Sequence, residues 1–198
     1  MTARKLRKAL LNSIPLETER LVLRYIRPED ADDMFEYSRI DEVCEFLLWS
    51  PHLNVDVTKG YIEFLQKRYL RGLFADWAVV LKETGKMIGT CGYANINSRE
   101  RSCEIGYVLS PYFRGKGYMT ESVLAVLKLT FEVLKLESAR LRIINENLAS
   151  KRLAERVGFK LERIAYGELE IKGKMCDIAH YIMNFNDYET MKEKNEAV

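Results

Sequence analysis

The segment Arg114-Gly115-Lys116-Gly117-Tyr118-Met119 combines residue types that can bind a phosphate, and it lies between a predicted strand and a predicted helix. Its two glycines allow a tight turn with exposed N–H groups, and the helix N-terminus behind them adds a positive partial charge. Arg114 and Lys116 can add full charges. The segment therefore predicts a cradle for a phosphate or pyrophosphate, with a plain strand-to-helix turn as the alternative. The pattern GxxxxGK[ST] is absent, and GxGxxG fails because Thr120 stands at its third glycine.

Hydrophobic periodicity predicts the elements that must position this segment. Alternating apolar residues predict strands at residues 20–27, 77–82, 86–95, 103–109, 139–144, 159–168 and 175–184. Apolar residues at helical spacing predict helices at residues 28–39, 57–70, 120–134 and 148–157. Hairpins followed by one β-α-β crossover predict an α/β fold, with a mixed, mostly antiparallel sheet and helices on both faces.

Two terminal segments flank a single predicted domain at residues 16–185. Residues 1–15 form a basic extension, for which a mobile tail, a short amphipathic helix and a docking arm are the alternatives. Residues 186–198 form a polar tail that is expected to fray from Asp187 onward. We find no internal repeat and no linker in the sequence.

Composition excludes several classes of function. The 198 residues include 31 Lys and Arg against 29 Asp and Glu, a net charge of +2, which gives no support for nucleic-acid binding. The longest uncharged run, residues 87–98, is too short for a membrane span of about 20 residues. The four cysteines lack disulfide or metal spacing, so we expect reduced thiols, a cytoplasmic location and no bound metal.

The segment 114–119 resembles the acetyl-CoA pyrophosphate loop of the GNAT N-acetyltransferase superfamily, (Arg/Gln)-x-x-Gly-x-(Gly/Ala), with Met119 replacing the last small residue. Glu104 to Pro111 is similar to the superfamily's fourth strand. Asn147-Leu148-Ala149-Ser150, followed by Val157-Gly158-Phe159, is similar to its Asn-x-x-Ser and Gly-Phe segment. These matches identify the chain as a member of that superfamily.

Other residues are similar to one branch, the RimJ/RimL-like enzymes that acetylate the N-termini of ribosomal proteins. They are Thr18-Glu19-Arg20-Leu21, the segment from Arg24 to Asp30, and Asp177. The resemblance covers residues 16–185. It implies an acyl-CoA N-acyltransferase fold in which two central strands splay apart and hold acetyl-CoA between them.

The resemblance also implies which residues bind this cosubstrate. The pantetheine arm would bond to free strand backbone as an added strand does, and the glycine loop would hold the pyrophosphate. An N–H near Leu109 would polarise the thioester carbonyl. The expected cofactor contacts are Tyr107, Val108, Leu109, Arg114, Gly115, Lys116, Gly117, Tyr118, Met119, Asn147 and Ser150.

Glu104 is the first candidate for the general base, acting through a water. An amine must be neutral to attack a thioester, and an α-amine with a pKa of about 8 needs only a modest base. In the strand alternation Glu104 shares a side with Gly106 and Val108, and the resemblance places a carboxylate there in many relatives. The alternative is an exposed glutamate paired with Arg99 or Arg101. Glu168 is the second candidate.

Ser150 and Asn147 have both functional and structural interpretations. The resemblance makes Ser150 the hydrogen-bond donor to the departing thiolate and Asn147 a pantetheine contact. Alternatively, Asn147 is the N-cap and Ser150 the N3 residue of the helix at 148–157. His52 and His180 lack partners at triad or metal spacing, so we interpret them as packing or surface residues.

Cys103 and the residues around Trp49 also have a functional and a structural interpretation. Cys103 adjoins Glu104 but faces the other side of the strand, which argues against an acyl-cysteine route. Trp49 and residues 45–54 fall where superfamily members shape the acceptor pocket, with core packing as the alternative.

The predicted activity is acetyl transfer from acetyl-CoA to a primary amine, by direct attack in a ternary complex. The resemblance favours the N-terminal amine of a ribosomal protein as acceptor. A small amine (a polyamine, an amino acid or an antibiotic) and a non-catalytic CoA-binding or ribosome-associated module are the alternatives. The hypothesis requires no metal, no direct contact with nucleic acid and no membrane, and it leaves the oligomeric state open, a homodimer included.

Overall fold

The computed structural model describes residues 3–70 and 76–196. The strands are Leu16–Glu17 (β1), Leu21–Arg24 (β2), Asp76–Leu81 (β3), Met87–Asn97 (β4), Ser102–Leu109 (β5), Ser138–Ile144 (β6), Lys160–Ile171 (β7) and Lys174–Asn184 (β8). The helices are Ala3–Asn12 (α1), Ala31–Ser38 (α2), Asp41–Cys44 (α3), Val55–Leu70 (α4), Tyr118–Lys128 (α5), Leu148–Val157 (α6) and Phe185–Glu196 (α7). Short 3-10 turns at Pro28–Asp30 and Pro111–Phe113 precede α2 and α5, and a π-helical turn at Leu129–Val133 extends α5.

The strands form one sheet in the order β1-β2-β3-β4-β5-β6-β8-β7. Neighbouring strands are antiparallel except β5 and β6, which are parallel and are joined through α5. A parallel connection needs such a crossover, whereas the antiparallel pairs need only turns. The predicted mixed, mostly antiparallel sheet with a single β-α-β crossover is therefore confirmed.

Helices cover both faces of this sheet because alternate strand residues are apolar on both sides. On one face, α2 and α4 bury Ala78 and Val80 of β3 together with their own Met34 and Ile62. On the other face, α1, α5, α6 and α7 contribute to a larger core around Ile105 and the other inward side chains of the central strands. The predicted helices on both faces are confirmed.

The polar C-terminal segment differs from its prediction. We expected fraying from Asp187, but residues Phe185–Glu196 form α7. Tyr188 is 3% exposed, and its ring stacks on Phe131 with the centroids 4.9 Å apart. Tyr188, with Phe185 on the same Phe131 ring and Met191 against the core, thus anchors a helix whose average composition is polar.

The N-terminal extension contains α1, which matches the amphipathic-helix alternative. Leu6 and Leu10 lie one turn apart and are both buried in the larger core. The four-residue spacing places the two leucines on one face of the helix. Within residues 3–70 and 76–196, none of the helices combines the length and the apolar character that crossing a membrane requires.

Candidate active site

Strands β5 and β6 run side by side only at their beginnings. Within the described chain their three residue pairs join Ser102–Glu104 to Ser138–Arg140. Beyond these pairs, β5 continues to Leu109 and β6 to Ile144 without pairing to each other. The sheet therefore opens into a V-shaped gap between β5 and β6, as the resemblance to the superfamily implies.

The backbone of β5 offers hydrogen-bonding groups to this gap. The N–H of Ser110 donates to a carbonyl of β4 at 2.9 Å, and a Cβ on Gly89 of β4 would lie 2.2 Å from the Val108 carbonyl oxygen. Val108 and Ser110 thus direct their peptide groups toward β4. Because these directions alternate along a strand, Tyr107 and Leu109 direct theirs toward the gap. An extended ligand entering the gap would meet backbone groups that the sheet leaves unpaired.

The glycine loop lies at the wide end of the gap and requires its two glycines. Gly115 and Gly117 have φ angles of 76° and 80°, in the left-handed region that residues with a side chain rarely adopt. Gly117 is the N-cap of α5, and among the residues that the structure describes no side chain caps that helix. The first N–H groups of α5, from Tyr118 to Thr120, therefore remain available, as an anion-binding helix N-terminus requires.

The two cations of this loop take different positions. The guanidinium of Arg114 forms an ion pair with Glu42 of α3 at the cavity edge. The ammonium of Lys116 lies over the ring of Phe113, 5.6 Å from its centroid. Arg114 thus borders the predicted cofactor cavity, whereas the charge of Lys116 is directed toward Phe113.

A polar cluster that no local sequence pattern indicates fixes the loop to α5. Glu121 accepts hydrogen bonds from the Thr18 hydroxyl at 2.5 Å, the Arg20 amide at 2.9 Å and the Arg20 guanidinium at 2.8 Å. Arg20 also donates to the Lys116 carbonyl at 3.1 Å and lies over the Tyr118 ring. We name Thr18, Arg20 and Glu121 the loop clamp.

The loop clamp gives a testable pH dependence. Burial alone would raise the pKa of Glu121, but the hydrogen bonds from Thr18 and Arg20 outweigh it and lower that pKa. A carboxylate whose pKa is lower in the folded than in the unfolded state stabilises the fold at pH values above the unfolded pKa. This contribution disappears as the pH falls through the folded pKa.

We expect Glu121→Gln to cost about 1.5–3 kcal/mol of unfolding free energy at pH 7. The loss of unfolding free energy should shrink below about pH 4, the pKa of a glutamate in the unfolded chain. Denaturant titrations at pH 7 and below pH 4 measure this loss. An equal loss at the two pH values would contradict the role of Glu121.

A cavity of about 470 Å³ extends from the loop into the gap, a volume within the range of small-molecule sites. Of the predicted cofactor contacts, it is lined by Tyr107, Val108, Leu109, Arg114, Gly115, Gly117, Tyr118, Met119, Asn147 and Ser150. Residues from two strand-to-helix connections thus converge on one cavity. Lys116 belongs to the loop without its side chain being directed into that space.

The start of α6 closes the far side of this cavity. The side chain of Asn147 accepts a hydrogen bond from the Ser150 amide at 3.1 Å, so the capping interpretation of Asn147 is confirmed. The Ser150 hydroxyl lies 2.7 Å from the hydroxyl of Tyr107. Burial raises the pKa of Tyr107 well above its usual value, so the phenol stays neutral and can donate to Ser150.

A second cavity of about 530 Å³ adjoins the first and contains Glu104. Six residues line both cavities and form their common border: Phe46, Leu47, Tyr107, Val108, Asn147 and Ser150. Among the described residues, the Glu104 carboxylate has no hydrogen bond or ion pair; Arg101 instead pairs with Glu137. The alternative in which Glu104 pairs with a neighbouring arginine is therefore not what the structure contains.

Glu168, the second candidate base, lies in a different environment. It accepts from Arg142 at 3.0 Å and from His180 at 2.7 Å, and Arg163 lies 3.4 Å away. The hydrogen bond from His180, together with that from Arg142, lowers the pKa of Glu168. A carboxylate held by several cations accepts a proton poorly, so Glu104 is the better candidate.

The remaining residues weighed in the sequence occupy packing or wall positions. His52 is buried, with Nδ1 2.8 Å from the Thr58 hydroxyl and 3.0 Å from that of Ser38. Burial raises the pKa of the Cys103 thiol to about 12, which leaves it protonated.

Trp49 lines the cavity that contains Glu104. Within residues 3–70 and 76–196, His, Cys, Asp and Glu side chains form no group of three that could hold a metal.

Comparison with known proteins identifies the family. The sequence profile described as "Acetyltransferase (GNAT) domain" matches residues 20–160, well over half of the chain. The chain belongs to the GNAT acetyltransferase family. The family implies that acetyl-CoA is the cosubstrate, and the glycine loop, the free α5 amides and the gap fit a nucleotide with an extended arm.

Individual relatives agree with this assignment. The N-acetyltransferase p20 of Bacillus licheniformis, itself described as uncharacterized, is 30% identical over 173 residues, covering 87% of this chain and 97% of that protein. The [ribosomal protein uS5]-alanine N-acetyltransferase of Escherichia coli is 23% identical over 171 residues, 83% of this chain and 87% of that protein. A GCN5-related N-acetyltransferase structure from Brucella melitensis superposes with a TM-score of 0.82 at 23% identity, covering 92% and 84% of the two chains, which supports the fold. This GNAT chain is therefore an N-acetyltransferase.

Proposed function

We propose that this GNAT enzyme acetylates the N-terminal amine of a ribosomal protein. The observation that carries the proposal is the pair of adjoining cavities, one beside the glycine loop and one around Glu104. A ternary complex needs two such spaces that meet at the reacting atoms. The acceptor assignment is supported by the resemblance of a 23% identical relative that acts on an alanine of ribosomal protein uS5. An acceptor of this kind places the reaction in the cytoplasm.

Glu104 removes the proton of the acceptor amine through a water, which leaves the amine nitrogen free to attack the thioester carbonyl carbon. The N–H of Leu109 points into the gap and donates to the carbonyl oxygen as negative charge develops there. Hydrogen-bond donors fixed in advance at such a position stabilise a developing oxyanion without reorganising. The carbon–sulfur bond then breaks, the nitrogen loses its second proton, and the departing thiolate takes up one proton. The products are the N-acetylated amine and the CoA thiol.

Ser150 donates a hydrogen bond to the departing thiolate, and Tyr107 positions Ser150 for this role. The two hydroxyl oxygens lie 2.7 Å apart. In the proposed role Tyr107 donates to the Ser150 oxygen, which leaves the serine proton free to turn toward the border of the two cavities. Asn147 holds the same turn through the Ser150 amide and presents its amide group to the pantetheine arm.

Tyr107→Phe tests this positioning role. Loss of one hydrogen bond should lower the unfolding free energy by about 1 kcal/mol. We expect kcat to fall roughly tenfold, the equivalent of about 1.4 kcal/mol, while the KM for acetyl-CoA stays within about twofold, because the backbone that contacts the arm is unchanged. Steady-state kinetics on an accepted amine would measure both; a large rise in KM with unchanged kcat would contradict the role.

The acceptor itself is tested by incubating the protein with labelled acetyl-CoA and a cell lysate, followed by mass spectrometry. We expect label on the N-termini of ribosomal proteins, and none when Gly117→Trp replaces the wild type. Label confined to lysine side chains or to small amines would contradict the proposed acceptor. Absence of label from every fraction would contradict catalysis and favour a CoA-binding module.

A further inference from the structure

The cavity around Glu104 contains a second carboxylate, that of Asp76 at the start of β3. Asp76 pairs with Gly92 of β4, and Gly92 pairs with Gly106 of β5. Directly paired residues of antiparallel strands point to the same face of a sheet. Glu104 lies two residues from Gly106 and therefore shares that face. Asp76 and Glu104 thus stand on one face of the sheet, on either side of two glycines.

The two carboxylates are far enough apart to contact different groups of one ligand. They are separated by two strand spacings and two residues along the strand, which places their Cα atoms about 12 Å apart. Gly106 has no side chain to fill the floor between them; a Cβ there would have its nearest contact at 3.9 Å. An extended acceptor can therefore lie across the glycines with one end at each carboxylate.

The wall of the cavity that contains both carboxylates suits a cation. Trp49, Tyr61 and Phe64 line the same cavity, and aromatic faces attract ammonium and guanidinium groups. Tyr61 is close enough to Asp76 for the carboxylate to contribute, after burial, to the rise of the tyrosine pKa to about 12. This end of the cavity thus combines an acid with aromatic rings.

The other charged side chains that line the cavity leave the Asp76 carboxylate available to bind a cation. Arg142 lines the cavity but pairs with Glu168. Arg68 also lines it, with its guanidinium 5.7 Å from the Phe64 ring centroid. None of the ion pairs within residues 3–70 and 76–196 includes Asp76, and Arg68 is the cation whose charge acts on its carboxylate. Burial raises the pKa of Asp76 to about 6 and the charge of Arg68 opposes this rise, so at neutral pH the carboxylate is largely ionised.

We propose that Asp76 binds a second cationic group of the acceptor while the reacting amine lies at Glu104. The preferred acceptors then carry a positive charge in addition to the amine that is acetylated. This inference rests on the acetyl transfer in the proposed function and narrows its substrate class; a polyamine acceptor would replace the ribosomal acceptor proposed above. Two sources offer the chemistry: a peptide with a basic residue next to its N-terminus, and a linear polyamine.

The test uses two matched pairs of acceptors. One pair is a peptide with lysine at its second position and the same peptide with norleucine there; the other is a linear α,ω-diamine and the monoamine of equal length. Binding to the CoA-loaded full chain is measured by calorimetry, and turnover is measured separately. The variants are Asp76→Asn, Asp76→Glu, and Asp56→Asn, which removes an exposed carboxylate at the start of α4.

In the wild type and in Asp56→Asn, we expect the cationic member of one pair to bind about 10- to 100-fold more tightly, as charge-assisted hydrogen bonds allow. This preference should fall to about onefold in Asp76→Asn, with unchanged acetyl-CoA affinity, and should persist in part in Asp76→Glu. The pair that shows the preference identifies the source of the cation.

Equal binding of both members by the wild type would overturn the inference, as would a preference that survives Asp76→Asn. The readouts also separate this inference from the proposed function. Turnover of both members without a charge preference contradicts the role of Asp76 alone. A charge preference in binding, without any turnover, supports the role of Asp76 and contradicts the proposed reaction.

Discussion

Replacing Gly117 with tryptophan should abolish acetyl-CoA binding while the chain stays folded. Gly117 has a φ of 80°, and a Cβ there would lie 3.4 Å from the Arg20 guanidinium, so the indole would displace the loop or occupy the cradle. Several charge-assisted hydrogen bonds to phosphate would be lost, each worth about 1.5–3 kcal/mol. At about 1.4 kcal/mol per decade, the affinity should fall more than 100-fold. Calorimetry with CoA measures this loss.

Gly173→Trp is the matched control. Gly173 has the same φ of 80° but lies in the turn between β7 and β8, where a Cβ would have no described atom within 4 Å. Both substitutions force a side chain into the left-handed region, which costs roughly 1–2 kcal/mol of stability. Only the first should affect CoA binding. Tight residual binding by Gly117→Trp, or an equal loss in the control, would contradict the role of the loop.

Glu104→Gln should lower kcat by about 10²- to 10⁴-fold, the usual contribution of a general base, with acetyl-CoA affinity retained. The amide cannot accept the proton of the attacking amine, while the cavity beside the glycine loop is untouched. Turnover on an acceptor found in the lysate experiment measures the fall. Raising the pH should restore part of the activity of Glu104→Gln, because a larger fraction of the acceptor amine is then neutral and does not need a general base from the enzyme.

Glu168→Gln is the comparison for this variant, because Glu168 is the other carboxylate that the sequence offers as a base. Its ion pair with Arg142 and its hydrogen bond with His180 should make the substitution affect local stability more than turnover. If kcat falls more in Glu168→Gln than in Glu104→Gln, the base has been assigned to the wrong strand. Unchanged turnover in Glu104→Gln would reject the assignment outright.

The loop and the sheet could be predicted because their causes are local. Gly115 and Gly117 lie where the chain needs positive φ, and only glycine adopts such angles freely. Alternating apolar residues fix which side chains face each layer, and this pattern is visible within a few residues. The start of α6 at Asn147 follows from a side chain that bonds an amide three residues on.

The features that escaped prediction depend on contacts between distant parts of the chain. The loop clamp joins Thr18 to Glu121, 103 residues apart, and no local pattern signals it. Tyr107 and Ser150 are 43 residues apart, and their contact exists only because the gap places α6 opposite β5. The helix α7 looks like a polar tail until Tyr188 is seen stacked on Phe131. That Asp76 and Glu104 share one face of the sheet follows only from the register of β3 with β4 and of β4 with β5.

Amide hydrogen exchange, with and without acetyl-CoA, tests most directly whether the cosubstrate binds to the open edge of β5. We expect acetyl-CoA to slow exchange at Tyr107 and Leu109, whose N–H groups face the gap, and at the amides from Gly115 to Thr120. Ser110 already donates to β4 and should change little. Protection of the loop without Tyr107 and Leu109, or no protection at either place, would contradict the account.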